Sequence, residues 1–551
     1  MQSLRRPMPF LKIPKTLERP RLTVAVAATG SGALAACGFQ PLSLWPLTLL
    51  AVAFLIELVM RARTGRGAFL IGWYFGLGHF TLGNNWIATA FTYQANMPVW
   101  LGAIAVALLS LYLAVFPALA TLAAWLLARP DRARTPFSAF VLAFGSAWII
   151  TEWMRAWVFT GFAWNPLGIA LLGQFQTRGL ALLTPWIGTY GLSGVLVLLA
   201  GVPGLFARPG ARAAGAKRWL WAIPVLAAAA ALGTLMTVSD PWVRREEGAV
   251  RFTLIQPDLR QEIIDDPRWY EASFQKMARL SLSRDPGQKR MVFWPESGLG
   301  DYLRDGYPLY LYRLYTYAAD PEIARARIGR VIGPYGLLLT GAVDLVMKDG
   351  DAIAARNSVT AIDGRGSILA GYSKAHLVPY GEYLPMRWLL EPLGASRLVA
   401  GALDFWPGPG ARTYDFGTWG KAGIQICYEI VFSGEVVDPL NRPDYIYNPS
   451  NDGWFGTWGP PQHLAQARLR AIEEGLPILR STTTGISAVI DADGLVRNAV
   501  AYHTAGRIDG RIPPPHEPTA FARHGNALPL ALAGILFLAC LSVVALNRHR
   551  G

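Results

Sequence analysis

The chain has 551 residues, of which 52% are apolar and 16% charged, and its mean hydropathy is positive. These values exclude an ordinary soluble protein and point to a membrane protein with room for a substantial aqueous domain. The formal charge of +14 would suit nucleic acid, but the excess sits in short basic clusters beside apolar stretches, as membrane topology requires, so nucleic acid is not expected as a partner.

The N-terminus is basic (Arg5, Arg6, Lys12, Lys15, Arg19, Arg21) and precedes a small-residue apolar run from Leu22 to Cys37. A cleaved signal peptide is the bland reading of such an opening. A second apolar run from Leu44 to Met60 follows at once, which favours a membrane span. Further runs cover Gly67–Phe91, Val99–Leu127, Phe137–Phe159, Ile187–Phe206, Trp219–Val238 and Ala527–Leu546. Each approaches or exceeds the ~20 residues that cross ~30 Å of hydrocarbon, so eight spans are expected. The first, rich in Gly and Ala, is the weakest.

Arg61, Arg63 and Arg66 follow the second span, and Arg129, Arg132 and Arg134 follow the fourth. Arg208, Arg212, Lys217 and Arg218 follow the sixth, while Arg548 and Arg550 follow the eighth. Cationic loops stay in the cytoplasm, so both termini should lie inside and the segment before the last span outside. Few charges interrupt the spans beyond Glu57, Glu152 and Arg155, which argues against a transporter.

That outer segment, 240–522, reads as α/β. Strand-like runs recur at Val250–Ile255, Met291–Trp294, Leu337–Val343, Gly423–Ile426, Tyr445–Tyr447, Ile478–Leu479 and Ala488–Ile490, and helix-like stretches at Trp269–Leu282 and Gln462–Gly475. Its length is enough for a full core. Pro513, Pro514 and Pro515 make a stiff exit toward the last span. The expected division is therefore 1–239 for the seven-span bundle, 240–522 for the outer domain and 523–551 for the last span and tail.

Three stretches deliver a reactive side chain at the end of an apolar strand. In Val292-Phe293-Trp294-Pro295-Glu296, proline stops the strand and fixes the backbone before a partly desolvated carboxylate suited to be a general base. Lys374 lies eight residues before Glu382, which sits in a turn built by Pro379 and Gly381; a lysine there supplies positive charge to a developing oxyanion. Gly423 to Ile426 lead into Cys427, with Tyr428 and Glu429 beyond. Cys427 is the only cysteine between Trp242 and Arg523, and Cys37 and Cys540 fall in apolar spans, so no disulfide framework is expected. A thiolate needs its proton removed and its charge stabilised, and Glu296 and Lys374 supply both. His376 and His463 leave a Cys–His dyad as the alternative, and no cluster has metal-ligand spacing.

Trp294-Pro295-Glu296, the run from Lys374 to Glu382, and Cys427-Tyr428-Glu429 resemble the Glu–Lys–Cys motifs of the nitrilase superfamily, and among its members most closely those of the apolipoprotein N-acyltransferase family. Asn448 to Gly456, Arg470-Ala471-Ile472-Glu473 and Arg480-Ser481-Thr482 match the family's segments after the cysteine, and the resemblance extends over the whole chain. It implies an α-β-β-α sandwich domain seated on a polytopic bundle of about eight helices, in the bacterial inner membrane, with the catalytic domain facing the periplasm. It implies Glu296 as base, Lys374 as oxyanion stabiliser and Cys427 as nucleophile, with Glu382, Tyr428, Glu429, Asn451 and Trp454 in support. A phospholipid would donate an acyl chain through a Cys427 thioester to the α-amine of a diacylglyceryl apolipoprotein, with no cofactor and with the enzyme a monomer. A membrane-anchored amidase using water as acceptor is the alternative. Two stretches depart from the family pattern: Asp265 stands where a tryptophan is expected, with Trp269 nearby, and Thr482-Thr483-Thr484 replaces an asparagine-containing run. Trp454, Phe455 and Trp458 are read as a mobile aromatic loop that dips into the bilayer interface, or else as core rings.

Overall fold

The structure is a computed structural model describing residues 21–93, 98–128, 136–207, 218–239, 245–285, 287–393 and 403–549. The basic N-terminal cluster before Arg21, the loop cations at 129–134 and 208–217, and Arg550 lie outside the described residues. The chain divides into two compact units. One comprises Met1–Asn85, Ala103–Asp240 and Asn526–Gly551; the other comprises Trp86–Gly102 and Pro241–Gly525.

The first unit is helical. Its helices cover Arg21–Ala36, Trp45–Met60, Gly65–Gly83, Trp100–Leu113, Val115–Ala128, Phe137–Arg155, Thr184–Ala207, Arg218–Thr237 and Ala527–His549, the fourth starting within the other unit. Among the described residues, four helical segments are long and apolar enough to cross a membrane: Trp100–Ala128, Phe137–Arg155, Leu180–Leu205 and Ala527–Asn547. Leu22–Ala36, Trp45–Met60 and Leu226–Thr237 are apolar but shorter. The Gly67–Phe91 run does not form one helix: Gly65–Gly83 ends early, and a separate turn covers Ile87–Ala90.

Glycine and alanine serve close helix packing. A Cβ on Gly32 would fall 1.9 Å from the Phe75 carbonyl oxygen, and one on Gly78 would fall 1.9 Å from that of Thr29. Helices that touch backbone to backbone gain dispersion contacts that need no hydrophobic drive, which is how apolar helices associate in lipid. Hydroxyls bridge others: Thr121 donates to the Ala68 carbonyl (2.9 Å) and Ser146 to that of Ala533 (2.8 Å). The Gly/Ala content that weakens the first span as a hydropathy signal is what lets it pack.

The second unit is a two-sheet sandwich. Its first strands are β1 (Arg251–Gln256), β2 (Arg290–Phe293), β3 (Gly336–Lys348), β4 (Asp351–Asp363) and β5 (Ile368–Ser373). There follow β6 (Thr413–Asp415), β7 (Lys421–Ile424), β8 (Tyr445–Ser450), β9 (Ile478–Thr482), β10 (Ser487–Ile490), β11 (Val496–Val500) and β12 (Gly506–Arg511). One sheet runs β12-β1-β2-β3-β4-β5 and the other β11-β10-β9-β8-β7-β6. In each, three central strands are parallel and the flanking pairs antiparallel. The parallel strands read as continuous apolar runs because both faces are covered.

Tyr447 and Phe293 face each other across the sandwich with ring centroids 5.0 Å apart, and the Tyr447 hydroxyl donates to the Leu339 carbonyl (3.2 Å). The helices Tyr270–Ser281 and Pro321–Ile332 cover the outer face of the first sheet, burying Phe274, Met277, Ile328 and Ile332 against Val292, Trp294 and Leu338. Each such side chain contributes about 1.5–3 kcal/mol of burial. The helix Gly459–Glu474 covers the second sheet. The expected α-β-β-α layering of the domain is therefore present. The Leu337–Val343 run is the first half of a longer β3, whose hairpin partner β4 had no sequence reading, nor had β5, β6, β11 and β12; β12 is polar and half exposed, which hides its period.

Candidate active site

Each reactive residue leaves a strand at the same end of the sandwich. β2 ends at Phe293, and Pro295 turns the chain so that Glu296 enters the interior, 4% exposed. β3 has Gly341 there because the Glu296 backbone lies against it: a Cβ on Gly341 would meet the Glu296 Cα at 2.7 Å. Lys374 follows β5, its N–H bonded to the Asn357 carbonyl of β4 at 2.8 Å. Cys427 follows β7 and opens a short 3₁₀ turn (Cys427–Val431). Its φ of +51° is left-handed, a conformation that costs a non-glycine residue about 1–3 kcal/mol and is retained where the surroundings enforce it.

The Lys374 ammonium sits 3.0 Å from Glu382 and 3.6 Å from Glu296. Asn357 donates from one amide nitrogen to both carboxylates, at 2.6 Å and 2.8 Å, locking the pair around the lysine. The second Glu382 oxygen accepts from the Val378 N–H (2.7 Å) and the second Glu296 oxygen from the Asn451 N–H (2.7 Å). The Asn451 N–H also favours the ionised form of the Cys427 thiol, so base and thiol share one backbone neighbour.

The charges set the resting protonation. Burial alone would lower the Lys374 pKa, but the carboxylates of Glu382 and Glu296 reverse it and raise it above the ordinary lysine value, so the ammonium stays charged. Burial and the Glu296 charge push the Cys427 thiol well up, against the opposing pull of Lys374. The thiol therefore keeps its proton at rest, and the neighbouring carboxylate is the group placed to take it.

Glu429 ties the lysine and cysteine segments together. One carboxylate oxygen accepts from the Tyr372 hydroxyl (2.7 Å), the Ala375 N–H (2.7 Å) and the His376 N–H (3.3 Å), and the other from the Ile426 N–H (2.7 Å). It thus grips the backbone just after Lys374 and just before Cys427. Burial raises its pKa, partly offset by these bonds.

Of the residues expected at the site, Glu296, Lys374, Cys427, Glu382, Glu429 and Asn451 converge. The Tyr428 ring packs edge-on to Phe432 at 5.1 Å, beside the nucleophile. Trp454 stands edge-on to Tyr93 at 5.8 Å, within the same unit. Phe455 is buried between Trp86 (4.7 Å) and His463 (5.6 Å), so that ring is core, while Trp454 and Trp458 are half-buried.

The Cys–His alternative is not supported by the geometry. His376 stacks on Phe432 at 4.3 Å and pairs with Glu435 at 3.1 Å, and His463 meets the Cys427 carbonyl rather than its sulfur. The two departures from the family pattern have structural roles. Thr483 donates to the Asn451 side chain (2.8 Å) and Thr482 to Gln256 (2.9 Å). Gln261 accepts from the Asn451 amide (2.8 Å) and donates to Asp265 (3.2 Å), while Trp269 is 47% exposed.

Sequence reasoning missed Asn357, Gln261 and Tyr372. No local motif marks them; Asn357 becomes visible only once register pairs Ser358 with Ser373 and sets it beside Lys374.

Residues 31–202 match the family model of the apolipoprotein N-acyltransferase N-terminal domain, and residues 268–508 that of the carbon-nitrogen hydrolases. The apolipoprotein N-acyltransferase of Rhodopseudomonas palustris is 35% identical over 540 residues, 94% of each chain. That of Bradyrhizobium diazoefficiens is 34% identical over 546 residues, 95% of this chain and 96% of the relative. Among solved structures, an amidase from Nesterenkonia sp. is 17% identical, with a TM-score of 0.33 over 52% of this chain and 97% of the amidase.

Proposed function

Since the chain belongs to the apolipoprotein N-acyltransferase family, we propose that it moves an acyl chain from a phospholipid to the α-amine of the S-diacylglyceryl cysteine that begins a lipoprotein. The observation that carries the reading is the shared burial of Glu296, Lys374 and Cys427, with the Lys374 ammonium 3.6 Å from the base and both charges acting on the thiol. Glu296 takes the thiol proton as sulfur attacks the phospholipid ester carbonyl. Lys374 stabilises the tetrahedral oxyanion. Collapse breaks the ester C–O bond, and the lysophospholipid alkoxide leaves with the proton from Glu296. The amine then attacks the thioester, Glu296 takes its proton, and the thiolate departs and is reprotonated. Two bulky lipids thereby use one pocket in turn.

In this reading Glu382, Glu429 and Asn451 position the three reacting groups, and Tyr428 and Trp454 border the lipid. The chain crosses the bacterial inner membrane eight times, in seven spans within 1–239 and one within 523–551. The domain 240–522 faces the periplasm, and the enzyme is a monomer. The cationic loop pattern supports that orientation, and a reporter fused after Val238 should behave as exported.

The activity is tested with the purified full-length protein. Phospholipid alone should give one slow stoichiometric acylation of Cys427, seen by mass spectrometry and absent in Cys427→Ser. A diacylglyceryl-cysteine peptide should discharge the adduct and become N-acylated. Water reaches any open pocket, so a transferase must exclude it, and the acceptor amine attacks from a fixed position. Rapid multiple-turnover release of fatty acid without acceptor would favour the anchored amidase.

A further inference from the structure

Behind the nucleophile lies a buried polar chain that the acylation steps above do not use. His463, on the helix Gly459–Glu474, has no exposed surface. Its Nε2 is 3.1 Å from the Cys427 carbonyl oxygen. Its Nδ1 is 3.0 Å from Asp452 Oδ1 and 2.9 Å from Arg480 Nη2. Arg480 grips Asp452 through one nitrogen at 2.9 Å and 2.7 Å, and its other terminal nitrogen donates to Ser450 at 2.9 Å.

A carbonyl oxygen only accepts, so Nε2 carries the hydrogen and donates it. Burial and the Arg480 charge lower the His463 pKa, which leaves the ring neutral, with Nδ1 as an acceptor for Arg480. Burial would raise the Asp452 pKa, but the Arg480 guanidinium bonded to it more than reverses this and holds the carboxylate ionised. The ring is thus fixed at both nitrogens, with its edge against Phe455.

What His463 holds is one side of a rigid plane. The Cys427 carbonyl and the Tyr428 N–H belong to the same peptide group and point in opposite directions across it. Backbone N–H groups beside a nucleophile are the usual donors to the oxyanion of acyl transfer. We infer that His463 is a positioning residue: by binding the Cys427 carbonyl it aims the Tyr428 N–H at the oxyanion that forms on the acyl carbon, opposite Lys374. The left-handed backbone at Cys427 needs such a hold, because that conformation is not self-supporting.

This rests on Cys427 as the nucleophile, and the test separates the two ideas. His463→Asn places an amide near the Nδ1 position, keeping the Arg480 end and losing the Cys427 end. His463→Gln reaches the Nε2 position and keeps the donor to Cys427. The full-length variants are compared by acylation of Cys427 with a short soluble ester and by its alkylation with iodoacetamide, which forms no oxyanion. His463→Gln should acylate within about threefold of the parent and His463→Asn about 10–100-fold more slowly, with alkylation within about threefold in both. Equal acylation by the two variants, or alkylation falling in parallel with acylation, overturns this role. A parent protein that forms no Cys427 adduct at all would overturn the nucleophile assignment along with it.

Discussion

Two buried ion clusters, one in each unit, differ in where their hydrogen bonds end. In the helical unit, Glu152 and Arg155 are 4.0 Å apart on the helix Phe137–Arg155. Arg155 donates to the carbonyls of Phe162 and Trp164, both at 2.8 Å, and Glu152 accepts from the Leu167 N–H at 2.7 Å and the Trp148 indole at 3.3 Å. These four bonds stay within 15 residues of the pair, while the Arg155 guanidinium also lies over the Phe80 ring at 5.3 Å. The pair satisfies the polar groups of an irregular backbone stretch that apolar surroundings would otherwise leave unpaired. In the sandwich, Glu296, Lys374 and Glu382 come from three segments, are braced by Asn357 from a fourth, and the Glu296 and Lys374 charges act on the Cys427 thiol. Burial of charge is common to both. What marks the second as a site is that its bonds gather distant segments and its charges act on a nucleophile.

Removing the cation from each cluster should separate the roles. Lys374→Met is expected to slow Cys427 acylation by about 10²–10³-fold, the loss found when one oxyanion donor is removed, while the protein still inserts. A variant within threefold of the parent would end the lysine's part in the site. Arg155→Leu is expected to act the other way, lowering stability by about 3 kcal/mol because Glu152 is left buried and uncompensated, with the folded fraction keeping its acylation rate. A rate loss at unchanged melting temperature would place Arg155 in the chemistry.

Another buried acid, Glu474, sharpens the contrast by having no reactive end. Burial and neighbouring Glu473 push the Glu474 pKa up to about 7, against Arg442 and Arg470. A raised folded-state pKa means that stability is greatest below the unfolded value near 4.5 and is lost as pH rises toward 7. Glu474→Gln should therefore raise stability by about 2–3 kcal/mol at pH 8 and change little at pH 4.5. The same gain at both pH values would contradict the cause given. The smallest effect is expected at the half-buried Trp454: Trp454→Ala should raise the KM for lipid about threefold more than that for a short soluble ester. Equal changes on both, with a lower melting temperature, would make it a core ring like Phe455.

The sequence alone determined what depends on short local patterns. Apolar length showed the membrane character, and strands ending at Trp294-Pro295-Glu296 and Gly423 to Cys427 showed where reactive side chains emerge, because a strand needs only a few consecutive residues to declare itself. Helix extent was less legible: Gly65–Gly83 ends before the apolar run does, and its glycines serve contacts with Arg21–Ala36 that hydropathy cannot express. The tertiary structure decided everything that depends on register and on contacts between distant segments. Asn357 lies in a strand without a motif, and only the pairing of β4 with β5 sets it between two glutamates. Glu429 grips both the lysine and cysteine segments, and His463 binds a carbonyl 36 positions away, because both bonds cross the interior of the folded sandwich. A side chain's partner in such a bond is fixed by the packing of sheets and helices, and no local property of the chain specifies it.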